Sequence, residues 1–159
     1  MLRDAASHLL DCAPERIVAE RKKDGRTAIG GVFSSLTHTR EAFGAAAANL
    51  PVGIDVERPR VIPDAVWRRI GGANEPLGGN RLIEWTATEA VLKSLGVGLA
   101  GGGHYVTFAL ETKRADHQLA WTARYLGHRF DGWTHWDGDL VWSLALAHTA
   151  AGTERAPEE

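Results

Sequence analysis

The chain has 159 residues, 44% of them hydrophobic, which is enough for one domain with a core and too few for two ordinary ones. Its formal net charge of -2 removes the electrostatic case for nucleic acid, which needs a basic face against the phosphates. A single cysteine, Cys12, excludes an internal disulfide and suits a reducing cytoplasm, and the opening MLRDAASHLL lacks the continuous apolar run of a signal peptide or membrane span.

Residues 2–12 read as a short helix stopped near Pro14, and Arg16 to Ile29 as two short strands about the turn Lys22-Lys23-Asp24-Gly25. Val32 to Thr37 and the alanine-rich run Phe43 to Ala48 both suit buried extended segments. Alanine suits a helix equally well, so periodicity leaves the second run open. Pro51 to Glu57 reads as a strand with Val52, Ile54 and Val56 on one face and Asp55 and Glu57 on the other. Gly71 to Asn80 holds four glycines and a proline and is expected to be a surface loop. A helix is expected over Leu82 to Leu95, ended by Gly96, Gly98 and Gly101 to Gly103. Further strands are expected at Tyr105 to Leu110, around Ala120 to Arg124 and at Leu140 to Ala147, the last preceded by an Asp137-Gly138 turn. The polar residues 150–159 read as a disordered tail, leaving one domain over residues 1–149.

Two like-charged side chains on one strand face repel unless something positive sits between them. For Asp55 and Glu57 that something is either solvent screening or a hard cation such as magnesium, which favours carboxylate oxygens and keeps positions open for substrate phosphate. Glu89 has a structural explanation of its own, because Thr86-Ala87-Thr88-Glu89 has the pattern of a capping box at a helix start. Lys93 stands one turn further on, spaced to pair with Glu89. Together, two strand carboxylates, a helix acid and a lysine are the parts needed to hold a magnesium pyrophosphate and stabilise charge on its oxygens.

His38 lies between Thr37 and Thr39, whose hydroxyls can donate to a phosphate, although a lone histidine is more often structural. The cluster Arg21, Lys22, Lys23 and Arg26, interrupted by Asp24, is either a solvated hairpin or a second anion site. The run Gly101 to Gly103 lacks the Lys-Ser or Lys-Thr pair of a P-loop. Neither a Gly-X-Ser-X-Gly elbow nor a His-Glu-X-X-His zinc motif is present. Six tryptophans, four in the last 40 residues, suit the core and its edges.

Leu36-Thr37-His38-Thr39, Pro51-Val52-Gly53-Ile54-Asp55-Val56-Glu57, Trp85-Thr86-Ala87-Thr88-Glu89-Ala90-Val91-Leu92-Lys93 and Gly96-Val97-Gly98-Leu99, in that order, resemble the motifs of the 4′-phosphopantetheinyl transferase superfamily. The resemblance runs from about Gly25 to near Ala147. It implies an α+β fold in which a mainly antiparallel sheet packs against a long helix. It also implies transfer of the phosphopantetheine arm of coenzyme A to a serine of an acyl or peptidyl carrier protein, with release of 3′,5′-ADP. Asp55, Glu57 and Glu89 match the family's ligands for magnesium, with manganese as the alternative metal. Glu89 also matches the base that takes the serine proton, and Lys93 the lysine on the pyrophosphate. Thr37 and His38 match positions that hold the 3′-phosphate of coenzyme A, and Arg26 sits where the family has the lysine of Gly-Lys-Pro.

The chain departs from that pattern in having only about 35 residues before the histidine motif, and is therefore expected to have little of the first lobe of the two-lobed members. It lies between those members and the small holo-acyl-carrier-protein synthases, which assemble as trimers, and a homo-oligomer is therefore expected. Thr37, Thr88 and Thr27 replace the family's serine, lysine and proline, respectively, and the loss of the lysine at Thr88, with that of basic residues from the first lobe, is expected to weaken the implied grip on coenzyme A. The alternatives are a catalytically silent member that binds coenzyme A or a carrier protein, and, without the resemblance, a metal-dependent phosphohydrolase using the same carboxylates.

Overall fold

In the computed structural model the described residues are 1–21, 27–72, 75–98, 106–115 and 117–148. The first helix, α1 (Leu2–Leu10), is closed by Asp11 in the left-handed conformation. The short strands β1 (Ala19–Arg21) and β2 (Thr27–Ile29) pair antiparallel, as the sequence indicates, with the connecting turn and Arg26 outside the described residues. A second ribbon follows, β3 (Phe33–His38) with β4 (Phe43–Ala48), so the alanine run is a strand. Its small side chains explain why. Ala45 and Ala47 pack toward α1 in a cluster with Leu2, Ala6, Ile17 and Ile29, while a Cβ on Gly44 would meet the Trp142 ring at 2.6 Å. Larger residues would hold the ribbon off on both sides.

The main sheet has five antiparallel strands in the order β5 (Val52–Glu57), β9 (Val141–His148), β8 (His128–Trp136), β7 (Gln118–Tyr125) and β6 (Thr107–Ala115). Its edge at β5 is not left bare. The side-chain hydroxyls of Ser35 and Thr37 accept from the backbone N–H groups of Ile54 and Val56, at 3.1 and 3.2 Å, and so stand in for a ladder partner. The long helix α3 (Arg81–Ser94) lies across one face of this sheet, where Ala87, Val91, Tyr125, Phe130 and Ala145 are buried. The molecule is thus an α+β protein with a mainly antiparallel sheet. No helix among the described residues is long and apolar enough to cross a membrane.

Three features of the fold correct the sequence reading. Strand β8 is absent from it, because Asp131 and Gly132 look like punctuation and the β7–β8 turn, Leu126-Gly127, lacks the usual Asn-Gly or Asp-Gly signature. In the fold both turn residues take positive φ, 48° and 81°. Gly132 is required on β8, since a Cβ there would fall 2.1 Å from the Trp121 ring. The short helix α2 (Asp64–Arg69) was also unread, and it sits inside the stretch between β5 and the glycine-rich loop.

The third correction concerns Thr86. The cap of α3 is Asn80, whose side chain accepts from the Leu82 amide at 2.9 Å, so Thr86 lies in the helix interior and Thr86 to Glu89 is no capping box. Instead Thr86 takes part in a buried polar run. The Trp121 indole donates to Thr134 (2.9 Å), Thr134 and Ser143 are 2.8 Å apart, Ser143 and Thr86 are 2.8 Å apart, and Thr86 donates to the carbonyls of Leu82 and Ile83. A donor-only group at one end and acceptor-only groups at the other let each hydroxyl accept from one neighbour and donate to the next.

Candidate functional site

The site is the seam between β5 and α3. Along the strand, Gly53, Asp55 and Glu57 face the helix. Gly53 is what brings the two together, because a Cβ there would lie 1.9 Å from the Ala90 carbonyl oxygen and 2.6 Å from the Ser94 amide. On the helix, Trp85, Glu89 and Lys93 are spaced by four and form one stripe. Strand and helix run in opposite directions, so Asp55 meets Lys93 while Glu57 meets Trp85, with Glu89 on the turn between.

Asp55 is buried, and its Oδ1 accepts from the Lys93 ammonium at 2.7 Å and from the Thr37 hydroxyl at 3.2 Å. Its Oδ2 is buried with no hydrogen-bond partner among the described residues. Burial pushes the Asp55 carboxyl above its ordinary range, and Lys93 only partly offsets this. Glu57 is more open, and its Oε1 accepts from the Trp85 indole (3.1 Å) and Arg60 Nη2 (3.1 Å), its Oε2 from Arg60 Nε (3.3 Å). Glu89 receives no hydrogen bond from the described residues. Its pKa is pushed up to about 7, first by burial and then by the charges of Asp55 and Glu57, with Lys93 opposing.

The four residues singled out in the sequence therefore do come into mutual electrostatic range. Their pairing is not the one that sequence spacing suggests, because Lys93 bonds Asp55, 38 positions away, rather than Glu89. Glu57 is drawn toward Arg60 and Trp85, and among the described residues no group of three His, Cys, Asp or Glu side chains is close enough to share a metal ion. The donor set itself suits a hard cation. An orphaned buried carboxylate oxygen on Asp55 and an unbonded Glu89 that resists ionisation both mark a place short of positive charge.

An open cleft of about 720 Å³ lies over Asp55 and Lys93, with Arg21, His38, Phe43 and Arg58 among its walls. Glu89 does not line it. His38 is exposed and stacks edge-on against Phe43, at 5.9 Å between ring centroids. Thr37 is buried, with its hydroxyl engaged by Asp55, Lys93 and the Val56 amide. It shapes the floor of the cleft instead of offering a free donor. Arg26 lies outside the described residues.

Sequence reasoning missed Gly53, Trp85 and Arg60 as parts of this site. The signals were present, in a glycine one alternation before Asp55, a tryptophan one turn before Glu89, and an arginine three residues after Glu57. Against protein-family models the chain finds no match, and no curated protein matches it.

Proposed function

We propose that this protein transfers the 4′-phosphopantetheine group of coenzyme A to a serine of an acyl or peptidyl carrier protein. The observation that carries this reading is the arrangement of Asp55 and Glu57 against Glu89 and Lys93, beside a cleft with basic walls. Asp55, Glu57 and Glu89 would hold magnesium, or manganese, which when bound supplies charge neutralisation to the pyrophosphate.

The chain's own residues account for the remaining needs. In the reaction the serine oxygen bonds to the phosphorus next to the pantetheine and the pyrophosphate linkage breaks, so that 3′,5′-ADP leaves and the serine proton must be taken up. Burial and the charges of Asp55 and Glu57 push the Glu89 carboxyl up to about 7 in the metal-free chain, and its ionised form, which a cation bound beside it would favour, can accept the serine proton. Lys93 holds a positive charge at the cleft floor, where it can stabilise the departing phosphate. Arg21, His38 and Arg58 supply cationic and polar walls for the remaining phosphates.

The direct test is incubation of the protein with coenzyme A, magnesium and an apo carrier protein, followed by intact mass. Addition of about 340 Da at the carrier serine is the expected result. No addition to any of several carriers would overturn the reading. One observation favours a second reading, a silent binding member: Asp55 and Glu57 are already neutralised by Lys93 and Arg60 without any cation. Thermal stabilisation by coenzyme A with no transfer would establish that version. Light scattering tests the expected homo-oligomer, and a monomeric mass together with full activity would exclude it.

A further inference from the structure

We propose that Arg60 is a displaceable counter-ion on Glu57, so that its guanidinium and a divalent cation compete for one carboxylate. The inference rests on the reading of Asp55, Glu57 and Glu89 as cation ligands and adds a residue to which no role has been assigned. Arg60 contacts both oxygens of Glu57, at 3.1 and 3.3 Å, which is the forked geometry that a carboxylate holds best. The same guanidinium sits 5.3 Å from the centre of the Trp85 ring, and the Trp85 indole itself donates to Glu57. Arg60 is thus parked on an aromatic face that remains in place when Glu57 is withdrawn.

The two ion pairs of the seam differ in how easily they open. Lys93 meets a buried Asp55, whose side chain is 8% exposed, and removing it would strand that charge. Arg60 and Glu57 are 42% and 26% exposed, so water replaces a broken contact at little cost. Arg58 contacts Glu41, at 3.2 Å, and makes no ion pair with Glu57 among the described residues. Glu57 is therefore the ligand whose release is controlled, and it becomes free for a cation only in the fraction of molecules where Arg60 has let go.

The test is manganese binding to the metal-free full chain, measured by isothermal titration calorimetry on wild type, Arg60→Gln, Glu57→Gln and the double variant. Arg60→Gln is expected to bind manganese about fivefold tighter than wild type, because a surface pair of ordinary strength leaves only a minority of Glu57 unlatched. In the Glu57→Gln background, Arg60→Gln is expected to add nothing. Wild-type or weaker affinity in Arg60→Gln would overturn the proposal, as would a gain that survives in the double variant, which would mark general charge repulsion instead. Asp55→Asn separates this from the underlying reading: manganese affinity unchanged by that substitution would remove the ligand assignment itself. Arg60 is exposed and unnecessary to the core, and matched far-UV circular dichroism will confirm that all variants are folded.

Discussion

Replacing Gly53 with alanine adds one methyl group where β5 comes closest to α3. The new Cβ would stand 1.9 Å from the Ala90 carbonyl oxygen, whereas real Cβ atoms keep at least 3.0 Å, so the strand and helix must part by about 1.1 Å. That oxygen belongs to the helix backbone, which cannot rotate aside as a side-chain end would. Overpacking of this kind costs about 2–3 kcal/mol, and with a urea dependence of about 2 kcal/mol/M the unfolding midpoint should fall by about 1 M or more. The same separation lets water reach Glu89, so its pKa should drop from about 7 toward the ordinary carboxyl range. Urea denaturation followed by fluorescence measures the first effect and carboxyl-carbon NMR titration the second. Gly30→Ala is the control, because nothing lies within 4 Å of a Cβ there, and its midpoint should be unchanged or slightly raised. A Gly53→Ala protein as stable as wild type, with Glu89 still titrating near 7, would refute the account of how the seam is built.

Stability in metal-free buffer should fall as the pH rises from about 4.5 to about 7. Over that window folded Glu89 keeps its proton while the unfolded chain has lost it, and Glu89→Gln should flatten the slope seen in denaturation midpoints. Ser143→Ala interrupts the run from Trp121 to Thr86 and should cost about 1–3 kcal/mol in the same assay, because buried hydroxyls on both sides lose a partner. Asn80→Ala removes the cap of α3 and should cost about 1 kcal/mol. Asp55→Asn and Glu89→Gln should each abolish transfer to a carrier protein while the circular dichroism spectrum stays that of the folded chain; near-normal turnover in either would remove that residue from the site.

Local geometry was readable wherever it depends on nearest neighbours. The strand at Val52–Glu57, the helix ending near Ser94, the Asp137-Gly138 turn and the β1–β2 pair all follow from alternation, helical spacing or glycine placement, and the structure bears them out. Where the local signal pointed two ways, packing decided. The alanine run became β4 because α1 and the sheet press on it from both sides, and the threonine of an apparent capping box became a mid-helix link to Ser143. The glycine-rich residues 101–105, the start of the strand expected from Tyr105 and the tail 150–159 lie outside the described residues.

What the sequence determined by itself was which chemistry is available and how it is spaced along each element: carboxylates two apart on a strand, and Trp85, Glu89 and Lys93 four apart on a helix. Backbone periodicity is a property of a few successive residues, so such spacing survives in any fold that keeps the element. Only the tertiary structure decided which charges neutralise one another. Lys93 reached across to Asp55, and Glu89 was left without a partner among the described residues, whereas Arg60 reaches Glu57 from only three residues on. The cross-element outcome depends on how near β5 and α3 can come, a distance fixed by the missing side chain of Gly53 and felt only once the two elements pack.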